Sequence, residues 1–258
     1  MEKRRFLYGC FFGIVLSVSL IAAVPAQTDT SAQQDISVWK KHVPLINEAD
    51  LFCSFSIIEQ DLEARITAVE RSDGRMLLRE GDIVFFDLGI SDGVEVGQVY
   101  QMIEIGEDIG GFGLLALKRG WIRVQKVMDT QSRAEIERLC GEVEVGTRIA
   151  PFEELEVIDG KDLGYDVEYE DLKGPDGEFL YFQQEYVQLS KNNWAVINLG
   201  AEDGIKKAQQ LIVYRLADKN TPVVLANIIV VDVQPQTSTI KVLSCRDIIK
   251  DGDLIKGR

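Results

Sequence analysis

A turn motif written twice constrains this chain more than any other feature. Leu88-Gly89-Ile90-Ser91-Asp92-Gly93-Val94, followed by Gln98, recurs as Leu199-Gly200-Ala201-Glu202-Asp203-Gly204-Ile205, followed by Gln209, at a constant offset of 111 positions. The correspondence continues at a slightly smaller offset, where Trp121-Ile122-Arg123-Val124-Gln125-Lys126-Val127 lines up with Asn227-Ile228-Ile229-Val230-Val231-Asp232-Val233. Each copy then reaches a Cys and a Gly-containing turn, Cys140 to Gly146 and Cys245 to Gly252. What recurs is turn chemistry and apolar patterning, not a set of reactive side chains.

Read physically, each copy is a series of short strands joined by tight turns. Asp82-Ile83-Val84-Phe85-Phe86-Asp87-Leu88 and Trp194-Ala195-Val196-Ile197-Asn198-Leu199 are apolar runs bounded by turn residues, and both read as core strands. In the Asp-Gly pairs at 92–93 and 203–204, glycine supplies positive φ without steric cost, and Asp is expected to bond its own downstream backbone. Gly97 closes a further turn where the second copy has Ala208, so glycine there is helpful but not obligatory. Strands are expected at 98–103 and 210–215, at 114–117 and 223–225, and, with alternating β-branched residues, at 121–127 and 227–233. Gly110-Gly111-Phe112-Gly113 reads as a hairpin tip and not a phosphate cradle, since no Lys-Ser/Thr follows it. The stretch 132–139 contains Ala-Glu-Ile-Glu-Arg-Leu, which local propensity favours as helix. Its counterpart Ser238-Thr239-Ile240-Lys241-Val242-Leu243 is β-type, so both are read as strands. The expected fold is mainly β: two tandem small antiparallel β-barrels or sandwiches following a cleaved signal peptide.

The expected organisation is a signal peptide at 1–26, a lead-in at 27–65 partly packed on the first repeat, repeat 1 at 66–151, an acidic linker or long loop at 152–176, and repeat 2 at 177–258. Within the lead-in, 57–69 reads as a short helix or a strand pair. The N-terminus has the parts of a secretory signal: Lys3, Arg4 and Arg5, an apolar run at 6–24, and Val24-Pro25-Ala26 before a polar stretch. An uncleaved anchor is the competing reading, because 19 apolar-run residues approach a membrane span. Cys10, after Leu7-Tyr8-Gly9, offers a weaker lipoprotein-type alternative. Cleavage predicts a periplasmic or secreted protein with no stable membrane span.

Loss of 1–26 removes one acid and three bases and takes the formal charge from −14 to −16. Such a chain repels phosphate backbones, which argues against nucleic acid as a partner. Twelve Asp or Glu against two Lys fall between residues 153 and 185. That excess reads as a solvated linker or long loop; a sharper reading takes Asp159, Asp162, Asp171 and Asp176 as hard oxygen ligands of a weak calcium site. The three cysteines remaining after export, Cys53, Cys140 and Cys245, leave pairing open, and the corresponding placement of Cys140 and Cys245 reads as two small apolar core residues. His42 is the single histidine and precedes both copies, so histidine-based zinc sites, a Ser-His-Asp triad and a Cys-His pair inside the repeats are excluded. No catalytic, cofactor-binding or metal-ligating residue is assigned, and no cofactor is expected.

Glu80-Gly81-Asp82-Ile83-Val84, Leu88-Gly89, Asp92-Gly93-Val94, Gly97, a later apolar strand ending in Val127, and Val145-Gly146-Thr147-Arg148-Ile149 together resemble the β-rich C-terminal repeats of some bacterial envelope proteins. Such repeats occur downstream of LysM peptidoglycan-binding modules, and the pattern is also similar to the small barrel that ends flagellar assembly protein T. The resemblance spans about 66–151 and 177–258; no LysM module is present, and the second copy departs at Asn192, Asn193 and Ala208. It implies an exported, non-catalytic cell-envelope protein acting as an interaction or assembly scaffold, flagellum- or wall-associated, with envelope proteins or peptidoglycan-associated components as partners. The alternative is a carbohydrate-binding module or carboxylate-dependent wall hydrolase using aromatics such as Trp39, Tyr165, Tyr169 or Tyr181.

Overall fold

The local turn chemistry of the sequence sets where the chain reverses. In the computed structural model the described residues are 44–70, 74, 76–154, 156–218 and 221–258; the expected signal peptide at 1–26, Trp39 and His42 lie outside them. Gly93 sits at φ 77° and Gly204 at φ 78°, each closing a single 3-10 turn. The aspartates act upstream, contrary to expectation: Asp92 Oδ2 accepts the Gly89 N–H at 2.8 Å and Asp203 Oδ2 accepts that of Gly200 at 2.9 Å. A side chain at the fourth turn position capping the first N–H recurs at Asp82 on Arg79, Asn193 on Ser190, Gln98 on Glu95 and Gln209 on Lys206. Each such bond satisfies a backbone donor that the tight reversal leaves without a ladder partner.

After helix α1 (Glu48–Phe52), the first unit comprises β1 (Phe55–Ile58), β2 (Ile66–Val69), β3 (Ile83–Phe86), β4 (Val99–Asp108), β5 (Leu114–Val127), β6 (Ser132–Leu139) and β7 (Arg148–Pro151). They form a seven-stranded sheet of order β2-β3-β6-β5-β4-β7, with β1 paired to β5 off that path. The edges β2 and β7 are stitched just outside the strands, by Ile66 N–H to Thr147 O (2.9 Å), Gly146 N–H to Ile66 O (2.8 Å) and Ile149 N–H to Ala64 O (2.9 Å). A single bridge, Arg65↔Arg148, lies between them, and among the described residues no continuous ladder joins β2 to β7. The second unit, β8 (Asp176–Phe182), β10 (Trp194–Ile197), β11 (Gln210–Ala217), β12 (Thr221–Val233), β13 (Ser238–Cys245) and β15 (Leu254–Gly257), is a closed six-strand barrel, β10-β13-β12-β11-β15-β8. A small ladder of β9 (Gln188–Leu189) and β14 (Ile249–Lys250) accompanies it.

Three details differ from the strand expectations. The segments at 114–117 and 121–127 are one strand, β5, bent by register shifts against its neighbours, and β12 is likewise continuous. The stretch 57–69 supplies two strands that do not pair with each other: β1 joins β5 and β2 joins β3. Residues 224–231 of β12 are buried without alternation, because the barrel is covered on both faces there.

That double burial defines the packing. Inside the barrel lie Ala195, Ile197, Leu211, Val213, Ile228, Val230, Ile240 and Val242. The opposite faces of the same strands, with Trp194, Val196, Ile229, Val231 and Leu243, join Ile46, Leu51, Phe55, Ile57, Ile109, Leu115 and Ile158 in a third core. The first sheet encloses its own core around Ile66, Phe86, Met102, Ile122 and Ile136. Each large side chain taken fully from water contributes about 1.5–3 kcal/mol, so the third core fastens the lead-in between the two units. Ser132–Leu139 is strand despite its helix-favouring composition, since Ser132, Ala134 and Ile136 are needed on the inward face.

Candidate functional site

Strand β4 outlasts its neighbour. It pairs with β7 from Tyr100 to Ile103 and, on its other side, with β5 as far as Asp108. Beyond Ile103, no described strand pairs with β4 on the β7 side, which leaves a length of free edge. An open groove of about 440 Å³ lies there, lined by Leu77, Ile103, Glu104, Ile105 and the turn 142–148. Leu77 and Val145, which line it, are 46% and 45% exposed, so apolar side chains face solvent at this edge.

The groove mixes apolar side chains, Leu77, Ile103, Ile105 and Val145, with the charged Glu104, Glu142, Glu144 and Arg148. Glu142 and Glu144 are exposed. Glu104 is paired with Arg119 at 2.6 Å, and Arg148 with Asp61 at 2.6 Å. The Arg148 hydrogen bond holds the Asp61 carboxyl below the usual range. An extended segment can add to such an edge through main-chain hydrogen bonds while apolar side chains enter the groove. In the barrel, β11 likewise runs past its last pair with β15, Tyr214↔Leu254, and there Arg215 binds Asp253 at 2.6 Å and Asp247 at 3.1 Å. Sequence reading missed the free edge; the one signal was Met76-Leu77 and Val145, apolar residues in segments otherwise made of turns.

The aromatics expected as ligand platforms are used internally. The Arg246 guanidinium lies 5.1 Å from the Tyr165 ring centroid. Tyr169 packs on Tyr214 at 4.7 Å, and Tyr181 on Phe55 at 5.5 Å. With Val167, Tyr165 and Tyr169 pack against the small cluster of Leu172, Ile212 and Val224 on the barrel's outer surface. The acidic stretch 152–176 is thereby held to the barrel: Ile158 bridges to Ile46, and Asp162 accepts from Asn227 at 2.6 Å.

The four aspartates of the calcium reading are not gathered. Asp176 accepts from Lys256 at 2.8 Å and from the Tyr214 hydroxyl at 3.2 Å. Asp171 ends a 3-10 turn. Burial would raise Asp162, but the Gly164 N–H, Asn227 and Ser244 outweigh it and hold its carboxyl below the usual range. Among the described residues no group of three or more His, Cys, Asp or Glu is placed to hold a metal. The three cysteines among the described residues are free thiols: Cys53 exposed, Cys140 and Cys245 half-buried. Cys245 packs on the barrel core, whereas Cys140 donates to the Lys118 and Phe52 carbonyls and is not part of the sheet core.

Among the described residues no helix is long and apolar enough to cross a membrane. Compared with protein-family models and with curated proteins, the chain matches none.

Proposed function

We propose that this is an exported, non-catalytic cell-envelope protein that acts as an interaction or assembly scaffold, with the groove along β4 as its partner site. The observation that carries the reading is the free β4 edge beside exposed Leu77 and Val145. A free edge beside exposed Leu77, Val145, Glu142 and Glu144 suits an extended segment of another envelope protein that carries apolar and basic side chains. A secretory-type N-terminus supports placement in the periplasm or outside the cell.

The reading as two copies of one β unit is supported by strand order. In sequence order, β2, β3, β4, β5, β6 and β7 correspond to β8, β10, β11, β12, β13 and β15, and this substitution turns one sheet path into the other. A frame of two like β units, with exposed Leu77 and Val145 beside the free end of β4, provides a mount and a docking face.

A photo-crosslinking residue placed at Leu77 or Val145 in the producing cell tests the proposal, with Glu170 as a control position. A discrete adduct with an envelope protein from the groove positions alone is expected. Absence of any adduct there, or turnover of wall glycan by the purified protein, would overturn it.

A further inference from the structure

Strand β5 carries two strands end to end on one side. β4 occupies its other side along most of its length. On the shared side β6 runs from Val127↔Ser132 to Gly120↔Leu139, and β1 from Leu117↔Phe55 to Leu114↔Ile58. Only Lys118 and Arg119 separate the two ladders. Over that gap the Cys140 N–H donates to Arg119 O and the Lys118 N–H donates to Ser54 O, both at 3.1 Å. The residue that leaves β6 therefore meets the residues that enter β1.

The side chains converge at the same point. Cys140 Sγ lies 3.1 Å from Lys118 O and 3.7 Å from Phe52 O, the carbonyl that immediately precedes Cys53. Phe52 is held by an edge contact with Trp121, ring centroids 4.1 Å apart. Burial first, and then the Cys53 thiol beside it, push the Cys140 thiol well above its ordinary pKa. Cys53 is exposed to solvent.

We propose that Cys53 and Cys140 are a disulfide-forming pair that covalently closes the junction between β1 and β6. The oxidant is a disulfide, either a small molecule or a dithiol–disulfide carrier. Exposed Cys53, as thiolate, attacks one sulfur of that disulfide, forms a mixed disulfide and releases the first thiol, which takes up the Cys53 proton. Cys140 sulfur then attacks Cys53 sulfur, and its proton goes to the second departing thiol. Two protein thiols are oxidised, one oxidant disulfide is reduced to two thiols, and no other reactant is required. The bond would tie the lead-in to the first sheet, and it is independent of what the β4 groove binds.

The folded full chain is equilibrated with oxidised or reduced glutathione, its remaining thiols are alkylated, and peptides are mapped by mass spectrometry. In the oxidised arm a peptide pair linking Cys53 to Cys140 is expected, with Cys245 alkylated. The oxidised protein should also melt several degrees above the reduced one, a difference that Cys53→Ser abolishes and Cys245→Ser retains. Alkylation of both Cys53 and Cys140 in the oxidised arm, or a link from either to Cys10 or Cys245, would overturn the proposal.

Discussion

Lys241 of β13 and Asp50 of α1, 191 positions apart in the chain, form an ion pair with Nζ 2.5 Å from Oδ1. The lysine side chain is 8% exposed and its ammonium lies 5.7 Å from the Trp194 ring centroid. Asp50 also accepts the Asn47 N–H at 3.1 Å, so one carboxylate caps the helix and ties it to the barrel. Asp50→Ala strands the ammonium under Trp194 and should cost roughly 2–4 kcal/mol. Lys241→Met keeps the stem's packing and should cost less. Urea unfolding of both variants and of the double variant checks this; additive losses would mean that the two residues do not interact.

Phe55 carries the seam on the apolar side. Its ring, on a residue 4% exposed, meets Tyr181 and Trp194, and its carbonyl accepts from Thr239 Oγ1 at 3.0 Å. Phe55→Ala should destabilise by about 3–4 kcal/mol and speed proteolytic cleavage near α1 and β1. A wild-type digestion pattern would argue against the lead-in as the fastener.

The two turn glycines of each motif serve different needs. A Cβ at Gly89 would lie 2.4 Å from Met128 O, and one at Gly200 2.4 Å from Pro235 O, whereas at Gly93 it would meet nothing within 4 Å. Gly89→Ala and Gly200→Ala should therefore cost roughly 2–3 kcal/mol from forced backbone separation. Gly93→Ala should cost about 1 kcal/mol from the left-handed conformation alone. Chemical unfolding of the three variants gives the ranking directly.

Ala208 holds a place that glycine fills in the first unit. Its φ is 69° against 91° for Gly97, and the two N–H groups bond Val230 O and Val124 O at 2.9 and 2.8 Å. Ala208→Gly should stabilise the barrel by about 0.5–1 kcal/mol, since relief of strain exceeds the added freedom of the unfolded chain. A lower melting temperature in this variant would contradict it.

Asp162 gives stability a defined acid dependence. Its folded pKa lies below the unfolded value, so its contribution is full above the unfolded pKa and is lost as pH falls through the folded one. The stability gap between wild type and Asp162→Asn should be widest above about pH 5 and close towards about pH 2. Denaturant titrations across that range measure it; a constant gap would mean that the carboxylate charge is immaterial.

Several of these features were legible without coordinates. Asp-Gly at 92–93 and 203–204 marks left-handed turns because only the residue's own sterics and near neighbours decide φ there. The helix-favouring stretch at 132–139 was readable as strand only through its β-branched counterpart at 238–243. The segment 227–233 reads as alternating β-branched residues, yet Ile228-Ile229-Val230-Val231 is an unbroken apolar run, the mark of a strand covered on both faces.

Reversals at the Asp-Gly turns and the apolar content of each segment were determined by the sequence alone, since these depend on atoms within a few residues. The tertiary structure decided that β1 joins β5 end to end with β6, that a third core joins the lead-in to the barrel, and that β4 keeps a free edge. It also decided that Cys140 lies against the Phe52 carbonyl that precedes Cys53, and that the tyrosines and Asp162 and Asp176 turn to internal partners. These outcomes rest on which faces find cover from segments distant in the chain, and burial is a property of the whole packed molecule that no local stretch encodes.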